Sequence, residues 1–152
     1  MFNLVQQEHH FGCFIAALAM ITGKTYRQAF KLVHPGKKIP KNHNLYEDYV
    51  NPKPYSYNDP KVAIHPLDAM KKLEELGYHT WYGKKIPFNK IKNNALLCIK
   101  WSYSNMGHAL VFDASKKSFL DPARENPWEL SFYESQLCFI LYFEKKLGKK
   151  AA

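Results

Sequence analysis

The most hydrophobic part of the chain is a run of residues near its beginning. Every residue from 14 to 21 is apolar, three of them are alanines, and Thr22 and Gly23 follow as a stop signal. A helix that is hydrophobic all round is normally buried within a protein. The pattern therefore predicts a helix that is buried on most sides and starts at or just before Cys13.

Two more helices are predicted from their end signals. Thr25 and Gln28 have the spacing of a capping box, which predicts a helix from there to about Val33. The segment 66–77 begins with proline, ends with glycine and repeats apolar residues at helical spacing, which predicts an amphipathic helix with one buried face. The residues expected on that face are Leu67, Met70, Leu73 and Leu76.

The second half of the chain has a different pattern. Residues 36–61 are rich in proline, asparagine, tyrosine and lysine without sustained periodicity, which indicates a long surface loop. From residue 78 onward, short β-prone runs alternate with turn-rich pieces. Strands are expected at 78–82, 95–101, 108–114, 118–120 and 138–143. Helices followed by an antiparallel sheet are typical of the α+β class.

Length and composition favour one compact globular domain. The chain has 152 residues, of which 46% are hydrophobic and 15% aromatic, enough for a real core. We expect a single domain over residues 1–147 and a disordered basic tail over 148–152. No apolar run approaches the roughly 18 residues that span a membrane, and the first ten residues lack a signal-peptide pattern. These features predict an intracellular, cytoplasmic protein.

The cysteines and the charge argue against a disulfide-rich, a zinc-binding and a nucleic-acid-binding protein. Three cysteines at wide spacing suit free thiols in a reducing compartment, and no CxxC pair suggests zinc. The net charge of +9 can attract nucleic acid, a membrane surface or an acidic partner. However, the lysines are scattered, mostly as pairs at turns and ends, and no nucleic-acid-binding motif surrounds them. We therefore interpret them as a solvated surface, which argues against a nucleic-acid partner.

The position of Cys13 suggests that it is a nucleophile. At a helix N-terminus, unpaired backbone N–H groups and the positive end of the helix dipole favour the thiolate, which is the nucleophilic form of cysteine. The second half of the chain supplies a base, because His108 follows a glycine at the entrance of an apolar strand. Asp121 ends the next strand. If the two strands pair through the turn at 113–117, His108 and Asp121 lie near the same end of the hairpin. The three residues then match the roles of nucleophile, base and orienting group.

These residues together resemble a known family. Gln7, then Cys13 opening an alanine-rich helix, then Gly107 with His108, then Asp121 with Pro122 are similar to the papain-like fold of the peptidase C39 and C39-like cysteine peptidases. The resemblance covers roughly residues 6–122 in motif order. It implies a papain-like α+β fold, N-terminal helices packed on a C-terminal antiparallel sheet, and a thiol hydrolase that requires no cofactor.

The resemblance also implies a role for each residue. Cys13 is expected to be the nucleophile, His108 the general base and acid, and Asp121 the group that orients the imidazole. Gln7 is expected to donate to the oxyanion together with the backbone N–H of Cys13. The expected substrate is a peptide or protein, cleaved after small residues such as a Gly-Gly pair. The sequence departs from the family where Asp-Cys-Gly is usual, because Gly12 precedes the cysteine and Phe14 follows it.

Several alternatives remain open at this point. Cys13 alone fits an inert core thiol, and Gln6 competes with Gln7, since neighbours in an extended segment face opposite ways. The histidines lack the spacing of a metal site, so no metal is expected. Cys98 and Cys138 lie in apolar strand contexts that suggest packing. A transferase or deamidase using the same three residues, or a catalytically silent peptide-binding module, fits the sequence too, and the oligomeric state is not predicted.

Overall fold

The computed structural model describes residues 2–9, 11–40, 62–100 and 107–147. In this part of the chain five strands form one antiparallel sheet: β1 (Tyr78–Gly83), β2 (Ala95–Lys100), β3 (Gly107–Asp113), β4 (Ser118–Leu120) and β5 (Leu137–Lys145). Their order across the sheet is β1-β5-β2-β3-β4, so the last strand pairs between the first two. The four α-helices of these residues are α1 (Cys13–Thr22), α2 (Tyr26–Val33), α3 (Pro66–Glu75) and α4 (Leu130–Gln136). The predicted α+β class is confirmed.

Helix α1 is the buried centre of the helical part. All its residues from Cys13 to Ile21 are buried, as the apolar run predicts. Alanines on this helix let its neighbours approach closely, because a methyl group is the only side chain between the backbones. The helix ends at Gly23, whose φ of 69° lies in the left-handed region that glycine adopts without strain.

Helix α2 begins as the sequence predicts. The Thr25 hydroxyl accepts a hydrogen bond from Gln28 N, and the Gln28 side chain accepts one from Thr25 N. This capping box satisfies two backbone donors that a helix start would otherwise leave without partners. Tyr26, Ala29 and Phe30 face inward and pack against α1.

The sheet has an apolar core on each face. Alternation along β2 and β3 places Leu96, Ala109 and Val111 against α1, in a cluster that also contains Cys13. Leu97 and Leu110 lie on the other face, where α4 and a short 3₁₀-helix at Phe88–Lys90 cover them. Strands β3 and β4 pair antiparallel, with Val111 opposite Leu120, so the predicted hairpin is present.

The structure differs from the sequence-based expectations in three places. Leu67 is 66% exposed, because it lies about 200° around α3 from the buried Ala69. Cys138 is exposed rather than packed, since the β2–β5 register shifts beside it and leaves it as a bulged residue. Helix α4 was not predicted. Residues 41–61 of the expected loop, Trp101 and the expected tail lie outside the described residues.

Candidate active site

Cys13 is the first residue of α1, and its surroundings come from the preceding loop. The residue is only 6% exposed. Gly12 is needed in front of it, because a Cβ at this position would overlap the hydroxyl oxygen of Tyr26. The N–H of a first helical residue has no acceptor within its own helix, so the backbone here presents positive charge beside the thiol.

His108 and Asp121 form a buried hydrogen-bonded pair. His108 is the second residue of β3, and Asp121 directly follows β4, so the hairpin brings them to the same end, as predicted. The distance from His108 Nε2 to Asp121 Oδ1 is 2.7 Å, and the two residues are 3% and 1% exposed. The thiol of Cys13 is close enough to the His108 ring to contribute to its raised pKa. Asp121 contacts the ring at Nε2, so Nδ1 is the nitrogen on the other side of the ring.

The surroundings of His108 favour its charged form. Burial alone would lower the pKa of His108, but the hydrogen bonds to Asp121 and Cys13 outweigh it and raise the pKa to about 9. Burial likewise opposes the charge on Asp121, yet hydrogen bonds from His108, Tyr133 and the Ala123 N–H hold the pKa of this carboxyl below its usual value. At neutral pH the site thus holds an imidazolium next to a carboxylate.

Tyr133 is a site residue that sequence reasoning missed. Its hydroxyl donates to Asp121 Oδ2 at 2.7 Å, so both carboxylate oxygens have donors, since Ala123 N also donates to Oδ1. Tyr133 is fully buried, and burial and the bond to Asp121 raise the pKa of its phenol. It lies on α4, whose seven residues carry no side-chain N-cap, so no local signal indicated this helix.

Gln7 is the buried member of the two neighbouring glutamines. It is 7% exposed, whereas Gln6 is exposed. Its backbone N donates to Pro122 O at 2.8 Å, which ties the N-terminal segment to the residue after Asp121. Its side-chain Nε2 donates to the carbonyl oxygen of His9 at 2.9 Å. The Gln7 amide is thereby held against the loop that precedes Cys13.

A cavity of about 220 Å³ opens beside His108. Phe14, the residue after Cys13, is 7% exposed and forms part of its wall. Cys98 and Cys138 also line it, from neighbouring strands. Burial raises the pKa of the Cys98 thiol, which keeps it in the less reactive protonated form.

The described histidines that were considered for a metal site have separate environments, and His10 and His43 lie outside the described residues. His9 contacts Tyr26 and Pro40, His34 contacts Val62 O, and His65 accepts from Leu67 N at the start of α3. His79 stacks on Trp81. Over the described ranges, no group of three or more histidine, cysteine or acidic side chains is arranged to hold a metal ion. No helix in these ranges is long and apolar enough to cross a membrane.

Comparison with known proteins identifies the fold. No protein-family model matches the sequence, and no curated protein matches it. Among solved structures, the peptidase domain of Streptococcus ComA, a bifunctional ABC transporter of a quorum-sensing pathway, is similar with a TM-score of 0.59 and 14% identity. The match covers 96% of this chain and 100% of that one.

A second solved structure has the same fold. It is a double-glycine motif protease from an AMS/PCAT transporter in complex with the leader peptide, with a TM-score of 0.57 and 17% identity over 96% of this chain and 93% of the other. Both similar structures are peptidase domains of the kind that the sequence resembles. The papain-like fold expected from the sequence is therefore confirmed.

Proposed function

We propose that the chain is a cysteine peptidase that cleaves a peptide bond through an acyl-enzyme on Cys13. The observation that carries the proposal is the buried His108–Asp121 pair, whose imidazole has its pKa raised by Asp121 and by the thiol of Cys13 at the start of a helix. The fold, which is that of two peptidase domains, supports the same class of reaction.

In the first half of the reaction the Cys13 thiolate attacks the carbonyl carbon of the substrate, and a C–S bond forms. Negative charge moves to the carbonyl oxygen, where the backbone N–H of Cys13 and Nε2 of Gln7 donate hydrogen bonds. One such donor typically contributes about 3 kcal/mol of transition-state stabilisation. The imidazolium of His108 then gives its proton to the leaving nitrogen, the C–N bond breaks, and a thioester remains.

In the second half a water molecule attacks the thioester carbonyl. His108, now neutral, takes a proton from the water, and the tetrahedral intermediate again places its charge at the same donors. The C–S bond breaks, the product leaves as a carboxylic acid, and the thiolate and imidazolium are restored. Asp121 orients the ring and stabilises its positive charge throughout.

The proposed substrate has small residues before the cleaved bond, such as a Gly-Gly pair. Phe14 supports this, because a phenylalanine next to the nucleophile fills space where the resembled family has a glycine. The cavity beside His108 is correspondingly small. The similar protease that is named for a double-glycine motif supports the same preference.

The test is alkylation by dilute iodoacetamide between pH 5 and 9, followed by mass spectrometry of the peptides that carry each cysteine. Cys138 serves as an internal reference for an exposed thiol. We expect Cys13 to react faster than Cys138 at pH 5–6, and this advantage to disappear in His108→Ala. The matched control is His79→Ala, on the opposite edge of the sheet, which should leave the rate at Cys13 unchanged.

Cleavage is then measured on peptides that contain Gly-Gly. Hydrolysis is distinguished from a transferase or deamidase reaction by the masses of the products in the presence of an added amine. If Cys13 in the folded wild type reacts no faster than Cys138, the peptidase proposal is wrong, and a catalytically silent peptide-binding module becomes the better interpretation.

A further inference from the structure

His9 is a fully buried histidine that the proposed reaction does not use. Its ring lies in the helical part of the fold, with Nδ1 2.9 Å from the Tyr26 hydroxyl and Nε2 3.0 Å from the carbonyl oxygen of Pro40. A carbonyl oxygen only accepts, so Nε2 carries a hydrogen. In the neutral ring Nδ1 then accepts, and the Tyr26 hydroxyl is its donor.

The backbone of His9 holds the two ends of the loop before α1. Its carbonyl oxygen accepts from Gln7 Nε2 at 2.9 Å and from Gly12 N at 3.0 Å. A carbonyl oxygen has two lone pairs, and these two bonds match that capacity. One bond fixes the amide of Gln7, and the other fixes the residue just before Cys13. The same carbonyl therefore sets the relative positions of both proposed oxyanion donors.

Tyr26 holds this loop from the other side. Its hydroxyl lies against the Cα of Gly12, in the space that a side chain at this position would occupy. Burial first, and then the charges of Glu8 and Cys13, raise the pKa of Tyr26, so the hydroxyl keeps its hydrogen at neutral pH. Tyr26 belongs to α2, where the capping box fixes the start of the helix. The contact thus links a rigid element to the loop.

We infer that His9 and Tyr26 are positioning residues for the oxyanion site. Through the His9 carbonyl they fix the positions of the Gln7 amide and the Cys13 N–H relative to each other. This inference rests on the proposed function. It adds two residues that contact no reacting atom in the proposed mechanism. Their effect is on geometry, and displacements of about 1 Å in such sites can reduce rates on the order of 100-fold.

The test compares two reagents that modify the same thiol. Acetylation of Cys13 by p-nitrophenyl acetate passes through a tetrahedral oxyanion, whereas alkylation by iodoacetamide is a direct displacement that forms none. The ratio of the two rates, followed at Cys13 by mass spectrometry, therefore reports the oxyanion site separately from the reactivity of the thiolate. Neither reagent requires the natural substrate to be known.

The variants are Tyr26→Phe, Gln7→Ala and a matched control, Tyr78→Phe. The Tyr78 hydroxyl also bonds to a carbonyl at α1, that of Ile21, but at the other end of the helix. We expect Tyr26→Phe to lower the rate of acetylation at Cys13 roughly tenfold, while the rate of alkylation changes less than about twofold. Gln7→Ala should lower the ratio at least as much, and Tyr78→Phe should leave it unchanged.

Each contrary outcome has a distinct meaning. If Gln7→Ala lowers the ratio and Tyr26→Phe does not, the inference is wrong while the proposed function stands. If both rates fall together in Tyr26→Phe, the residue is merely structural. His9→Gln is a second variant for the case that Tyr26→Phe does not fold, and it should lower the same ratio; an unchanged ratio there also overturns the inference. Ordinary reactivity of Cys13 in the wild type would instead overturn the proposed function.

Discussion

Replacing Tyr133 by phenylalanine removes one hydroxyl from between Asp121 and the Trp128 backbone. The hydroxyl donates to Asp121 Oδ2 at 2.7 Å and accepts from Trp128 N at 3.1 Å, and the tyrosine is fully buried. A hydrogen bond to a charged group contributes about 1.5–3 kcal/mol, and the loss of the acceptor for Trp128 N adds to the cost. We therefore expect Tyr133→Phe to lower the free energy of unfolding by roughly 2–4 kcal/mol at pH 7.

The pH dependence of this loss has a definite sign. Hydrogen bonds from His108 and Tyr133 outweigh burial and hold the pKa of Asp121 below its usual value of 3.8. A carboxyl with a lowered pKa in the folded protein contributes stability above its unfolded pKa, and this stability is lost as the pH falls through the folded pKa. The difference in the free energy of unfolding between wild type and Tyr133→Phe should therefore have its full size at pH 6–7. It should decrease below about pH 4, as the pH approaches the lowered pKa of Asp121.

The assay is urea unfolding followed by tryptophan fluorescence at several pH values. Tyr78→Phe is the control, because its partly buried hydroxyl donates to the neutral carbonyl of Ile21, a bond that contributes about 1 kcal/mol at any pH. The reasoning about Asp121 fails if Tyr133→Phe lowers the free energy of unfolding no more than Tyr78→Phe, or if its effect stays constant from pH 7 down to the lowest pH at which the wild type is folded.

Three further predictions concern other parts of the chain. Because bonds to Asp121 and Cys13 outweigh burial and raise the pKa of His108 from 6.5 to about 9, its imidazolium adds stability that is full below pH 6.5 and lost as the pH rises through 9. The urea concentration at the midpoint of unfolding should therefore decrease as the pH rises from 7 to 10. A midpoint that does not change with pH would contradict this. Thr25→Ala should lose the capping box and about 1 kcal/mol in thermal unfolding, whereas an unchanged melting temperature would argue against the cap. Iodoacetamide should label the exposed Cys138 in the native protein. Burial raises the pKa of Cys98, so this thiol stays protonated and should be labelled only after unfolding; native labelling of Cys98 would contradict the raised pKa.

Local patterns predicted the parts of the fold that local physics determines. The apolar run marked α1, the capping box marked α2, and the hairpin that carries His108 and Asp121 followed from β-prone runs around one turn. In each case the signal lies within about a dozen residues, so the periodicity and end residues carry it.

Long-range contacts account for what the sequence missed. Tyr133 reaches Asp121 only because α4 packs under the sheet, and nothing in its seven residues indicates a helix by itself. Cys138 was expected to be buried, but the register shift beside it depends on how β5 pairs with β2. The role of His9 depends on residues 17 and 31 positions away. Such contacts exist only in the folded chain, and so periodicity does not report them.

The packing of α1 on the sheet determines how the proposed nucleophile and base meet. Cys13 belongs to the same apolar cluster as Ala109, which directly follows His108 on β3. The thiol and the imidazole are therefore carried by two regular elements whose contact is a tightly packed core, and a loop between them does not set their distance. A cavity in that core should consequently lower stability and reactivity together. A variant that loses reactivity with normal stability instead marks a residue whose role is chemical.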